Sequence, residues 1–173
     1  MTCSRLNTFS IGSKNFKLGV TLDDIKNDLE AANMECKPHA ETKELTNCSV
    51  KGMRLRSGTK WSQLGGLEVD SVDVRAFTDS GLISLVQFWF PFNKDYSWSV
   101  VGKLYMDKYP DLCSIKFEGT LFYSCETQKT RIQCRARSGL NSCNWADLAG
   151  EKKREAILEP IREKRKSELM NDL

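Results

Sequence analysis

The sequence holds a single histidine, His39, and contains no CxxC pair, no P-loop, no GxGxxG and no GxSxG. A Cys/His nucleophile pair or a Cys2His2 zinc site needs a histidine at ligand spacing from its partners, and this chain offers none. His39 lies in the segment Cys36-Lys37-Pro38-His39 and reads as an exposed loop residue, so neither a metal nor a cofactor is expected. The missing glycine motifs remove phosphate cradles and the nucleophile elbow. Acidic residues are plentiful, Asp70, Asp73 and Asp79 among them, but their positions fit solvated strands and turns. No catalytic residue is assigned, and the expectation is a protein that is not an enzyme.

Long apolar runs are missing too. None reaches the length of a membrane span, and the opening MTCSRLNTFSIGSKNF carries no stretch of the signal-peptide kind. The formal net charge of +3 is too mild to demand a nucleic-acid or membrane partner. At 173 residues the chain is one domain or two small intimate units with room for a proper core.

Cysteine is what the chain does have, at seven residues. In CSIKFEGTLFYSC, polar and apolar residues alternate on both sides of a glycine-containing turn, the signature of a β-hairpin with one buried face. If the loop is Glu118 to Thr120, then Phe117 faces Leu121, Ile115 faces Tyr123 and Cys113 faces Cys125. Opposed residues of an antiparallel pair have Cα atoms about 4.5–5.5 Å apart, inside the disulfide window of about 4.4–6.8 Å. A loop of different parity would put Cys125 on the other face, so bridge and register stand together. Cys36 and Cys48 repeat the spacing of twelve, and each pair follows a candidate helix. Cys134 and Cys143 are candidates for a third pair, with Cys3 left over. Buried free thiols in a cytosolic core are the alternative. The bridged reading points to a periplasmic or secreted protein, because structural disulfides persist in oxidising compartments.

Along the chain, Thr21 and Asp24 form a capping box ahead of an amphipathic helix with Leu22, Ile25, Leu29 and Ala32 on one face. Two short strands with a polar loop follow. LEVDSVDVRAF and LISLVQFWF read as strands joined by Thr78-Asp79-Ser80-Gly81, the second covered on both faces. DYSWSVVGKLYMDKYP gives a second helix that stops before Pro110 and packs through Trp98, Val101 and Tyr105. In RIQCRAR, Arg131, Gln133, Arg135 and Arg137 alternate with Ile132, Cys134 and Ala136, giving one basic and one buried face. The order of elements and the cysteine spacing suggest an internal duplication: an α+β domain over 1–140 made of two helix-plus-antiparallel-sheet units, about 17–92 and 93–140. Residues 141–173 form a charged helical extension that Pro160 is expected to kink or divide.

The segment KLGVTLDDIKNDL, with its Gly19-Val20-Thr21 start, followed by Cys36 and Cys48, resembles the β-lactamase inhibitor protein family and its structural relatives, the BamE (SmpA) outer-membrane lipoproteins. The likeness covers about residues 17–126, and the second unit departs from it, since Ser97-Trp98-Ser99-Val100 has no Gly-x-Thr start. It implies tandem helix-on-sheet units with a disulfide in each and binding of a target enzyme across the sheet surface.

The resulting expectation is a non-enzymatic extracytoplasmic binding module, an inhibitor or immunity protein that occludes a partner enzyme. Candidate contact residues are Asp79 at a hairpin tip, Trp61 in the loop before the sheet, Trp89 and Phe92 at the end of the apolar strand, and the stripe Arg131, Arg135 and Arg137. The ordinary fates of these side chains are core for the aromatics, turn chemistry for Asp79 and a solvated strand face for the arginines. A cytosolic phage-type or host-interaction protein that blocks a nucleic-acid-guided complex is the second reading, carried by those arginines and the tail from Lys152 to Lys166. Between Glu151 and Leu173 seven basic residues meet six acidic ones, which fits a self-paired solvated helix. An envelope-assembly component is the third reading.

Overall fold

The computed structural model describes residues 18–51, 55, 57–59, 61–64, 67–91, 97–118, 120–137 and 140–171. A 3-10 turn, Asp23–Ile25, leads into helix α1, Lys26–Ala31, and strands β1, Met34–His39, and β2, Thr42–Val50. The short strands β3, Gln63–Leu64, and β4, Leu67–Glu68, pair with each other. Then come β5, Ser71–Phe77, β6, Ile83–Phe90, helix α2, Ser97–Lys108, and strands β7, Cys113–Phe117, β8, Leu121–Glu126, β9, Thr130–Arg137, and β10, Leu140–Asp147. Helix α3, Leu148–Asn171, closes the chain. Eight strands make one antiparallel sheet in the order β1-β2-β5-β6-β10-β9-β8-β7.

Local chemistry accounts for the start of the 3-10 turn and for the end of α1. Thr21 N–H donates to Asp24 Oδ2 at 2.7 Å, and Asp24 N–H donates back to Thr21 Oγ1 at 3.3 Å, a reciprocal box that satisfies donors a helix start leaves orphaned. These bonds hold the Asp24 carboxyl below the usual carboxylate range. At the other end Asn33 adopts a left-handed φ of 61° and its Nδ2 donates to the Lys51 carbonyl at 3.0 Å. Ile25, Leu29 and Ala32 turn the helix's apolar side inward.

Register explains the cysteines. Cys36 and Cys48, Cys113 and Cys125, and Cys134 and Cys143 are directly opposed cross-strand partners, and all three pairs are disulfides. Followed across the sheet, one row of opposed residues reads Cys36, Cys48, Val74, Val86, Trp145, Ile132, Cys125, Cys113. A bridge therefore pins the outermost hairpin at each edge. Cys134 and Cys143 lie two residues along, on the same face. The β7–β8 hairpin has the register expected from its alternation, with Phe117 opposite Leu121 and Ile115 opposite Tyr123. The apolar face expected to be buried is open at its tip, where Ile115, Phe117 and Leu121 are exposed because helix α2 covers β8 to β10 rather than the end of the edge hairpin.

Helix α2 packs on this face, over β8, β9 and β10, through buried Trp98, Val101 and Tyr105. It lies close because residue 102 is glycine: a Cβ there would sit 2.4 Å from Tyr123 Cδ2. Trp145, 1 % exposed, meets Phe88 edge-on at 4.9 Å and Tyr105 at 5.8 Å, joining the middle of the sheet to the helix. One contiguous core runs from Ile25 and Met34 to Ile132 and Trp145.

One further expectation changes. The helical extension begins at Leu148 rather than 141, because LNSCNWAD is strand β10, between β6 and β9. Cys143 and Trp145 share their face with Asn141, and the other face carries Ser142, Asn144 and Ala146, so hydrophobicity is low although the period is two. Pro160 lies inside α3 without dividing it. Ala156, whose carbonyl loses its donor, is exposed, so water can replace the missing bond.

Candidate binding surface

Because side chains alternate, the residues between those of the cysteine row build a second face of opposite character. Ser71, Asp73 and Arg75 come from β5, Gln87 and Trp89 from β6, Ser142 and Asn144 from β10, and Gln133 and Arg135 from β9. Helix α3 packs on β6, β10 and β2 at one end of this face. Leu158 closes there over Leu45 and Phe77, and Gly150 brings the helix start against Ser84, where a Cβ would lie 2.9 Å from the serine Cβ.

Trp89 and Arg135 stand toward the other end. They share one cross-strand row, Ser71, Trp89, Ser142, Arg135, Phe122, with Ser142 between them. Two strand spacings put their backbones about 10 Å apart. The indole Nε1 donates to Asp73 Oδ2 at 2.9 Å, which fixes the ring's orientation while part of it stays exposed. On the same face Gln87 Nε2 contacts Ser142 Oγ at 3.4 Å. The arrangement presents part of an oriented aromatic ring and a half-buried guanidinium, with Gln87 and Ser142 buried beside them. That is suited to recognition of a protein surface.

The remaining candidates are placed elsewhere. Trp61 is 2 % exposed and stacks on Phe88 with centroids 6.1 Å apart, so it packs the core and is unavailable as a contact residue. Asp79 is at the β5–β6 turn, where Oδ1 accepts the Ser80 N–H at 2.8 Å and Oδ2 pairs with Lys153 of α3 at 3.6 Å. These contacts, the Ser80 bond foremost, hold its carboxyl below the usual range. The turn is separated from Trp89 by the length of β6, about 20 Å. Arg131 is paired with Glu151, so its charge is locally balanced, and it lines a groove with Glu126, Lys152, Glu155 and Glu159. Of the stripe, Arg135 is the member in Trp89's row. Phe92, Cys3 and the Arg137 side chain lie outside the described residues. His39 ends β1, its Nδ1 accepting the Glu41 N–H at 3.2 Å, and no cluster of metal-ligating side chains occurs among the described residues. No described helix is long and apolar enough to cross a membrane.

Asp73, Gln87, Gln133 and Asn144 also belong to this face, beyond the contact residues expected from the sequence. A signal was present in SVDVRAF, whose alternation puts Ser71, Asp73 and Arg75 opposite the valines. Under α3, burial first and the Arg154 charge second hold Arg75 below the usual arginine range. Arg154 is itself 6 % exposed and lies 3.5 Å from Glu155. Compared with known proteins, the chain matches no family model, no curated protein and no solved structure.

Proposed function

We propose that this chain is a non-enzymatic, extracytoplasmic protein-binding module of the inhibitor or immunity type, which presents the polar face of its sheet to a partner enzyme. The observation that carries the reading is Trp89: a partly exposed indole, held by Asp73 in the row of Arg135, on a sheet whose outer hairpins are covalently tied. Tryptophan and arginine anchors dominate binding energy at protein interfaces, and a preorganised support loses little entropy on association. The extracytoplasmic setting rests on the three disulfides.

The reading extends to two tandem units, α1 with β1-β2-β5-β6 and α2 with β7-β8-β9-β10. In support, the sheet order has the same form from either edge, and the first two strands of each half carry a disulfide with a separation of 12. Both features agree with the resemblance to β-lactamase inhibitor proteins.

Affinity capture from the extracytoplasmic fraction of the source cell, in parallel with the cytosolic fraction, tests the proposal. The native chain should retain a protein from the first fraction. Trp89→Ala should weaken that complex by roughly 1.4–3 kcal/mol, tenfold or more, with unchanged circular dichroism. Equal retention by both forms, or a partner found only in cytosol, would contradict it.

A further inference from the structure

The sheet has two edges and they are built differently. Edge strand β1 carries Pro38, which has no N–H to offer, between charged neighbours Glu35 and Lys37 and the edge of the turn. Proline and charge are devices that block pairing with another strand. Edge strand β7 has no proline and one charge, Lys116, and leaves Ile115 49 % and Phe117 72 % exposed, with Leu121 at 49 % beside them on β8.

Hydrogen bonding in the hairpin fixes which backbone groups face outward. Glu118 N–H donates to the Thr120 carbonyl at 3.1 Å and Glu126 N–H to the Leu112 carbonyl at 2.9 Å. By the alternation of an antiparallel ladder, Ser114 and Lys116 then bond to β8, while Cys113, Ile115 and Phe117 direct their N–H and C=O groups to the open edge.

We propose that β7 pairs antiparallel with β7 of a second copy of the chain, about a two-fold axis through Ile115, so that two sheets join edge to edge. Sequence chooses this register. Centred on Ile115, the pairing sets Ile115 against its own equivalent, Cys113 against Phe117, and Lys116 against the Ser114 hydroxyl. Moving the axis to Lys116 opposes two ammonium groups, and moving it to Ser114 sets Phe117 against Asp111; either change costs a cross-strand pair. In the Ile115 register every outward backbone group of the three residues is paired, giving about six hydrogen bonds. The Cys113–Cys125 bridge already holds the edge strand in place, which limits the order lost on pairing.

The test uses the full oxidised chain. Light-scattering mass should rise with concentration from that of one chain toward two. Hydrogen exchange on the dimer should show new protection of the Cys113, Ile115 and Phe117 amides and none at Ser114 and Lys116, which are bonded in the monomer. Ile115→Lys, at a half-exposed position, places two cations on the axis and should weaken dimerisation roughly tenfold or more while leaving the melting temperature unchanged at dilutions where both forms are monomeric. A native chain that stays monomeric overturns the proposal. So does a dimer that survives Ile115→Lys, or edge protection that arises only when a different protein is added.

Discussion

Full reduction of the three disulfides is expected to lower the melting temperature by tens of degrees and to leave the chain largely unfolded at body temperature. The bridges close short loops, with sequence separations of 12, 12 and 9. Each loop of that size restricts the unfolded chain by about 2–4 kcal/mol in the chain-entropy model, so three together supply about 6–12 kcal/mol. A domain's whole stability is about 5–15 kcal/mol, so most of it is at stake. At about 2–4 °C per kcal/mol for a chain of this size, the fall should exceed about 12 °C. Thermal melts followed by near-ultraviolet circular dichroism, with and without reductant, give the answer. Cys48, Cys125, Cys134 and Cys143 are almost fully buried, so reduction should be slow in the native state and fast once the chain opens. A reduced chain that melts within a few degrees of the oxidised one would show that the bridges are not what holds the outer hairpins.

Trp145→Ala should be the most damaging single substitution in the core. Trp145 is 1 % exposed, stands in the row that crosses all eight strands, and touches both Phe88 of β6 and Tyr105 of α2. Removing the indole deletes a large apolar surface and leaves a cavity at the point where the two halves of the sheet meet. Losses for buried Trp→Ala are about 3–5 kcal/mol, and Trp145→Phe should recover part of that. Denaturant titration measures both. Trp89→Ala, at a part-exposed position on the other face, should cost far less in the same assay. A loss at position 145 no larger than at 89 would mean that the sheet is not assembled around this row.

Where local chemistry decides structure, the sequence was readable. The β7–β8 hairpin follows from alternation and turn, the first helix start from Thr21 and Asp24, and the second helix from the spacing of Trp98, Val101 and Tyr105 and from Pro110. Strand β10 is hard to read from sequence because Asn141 shares the face of Cys143 and Trp145 while Ser142 and Asn144 occupy the other, which dilutes the apolar signal. Its pairing with β6 joins residues more than fifty positions apart, and nothing local encodes a contact of that range. The candidate surface is half visible in the sequence for the same reason. Trp89 and Arg135 were identifiable as residue types, but their shared row depends on β10 lying between them. Trp61 and Trp89 differ in fate through tertiary position alone, one stacked on Phe88 in the core and the other bonded to Asp73 at the surface.

Peptide mapping of unreduced protein by mass spectrometry is the most direct test of the covalently clamped sheet. The account predicts three linked peptides, Cys36 with Cys48, Cys113 with Cys125, and Cys134 with Cys143. Free thiols at these positions in protein from an oxidising compartment, or links that cross between hairpins, would contradict it.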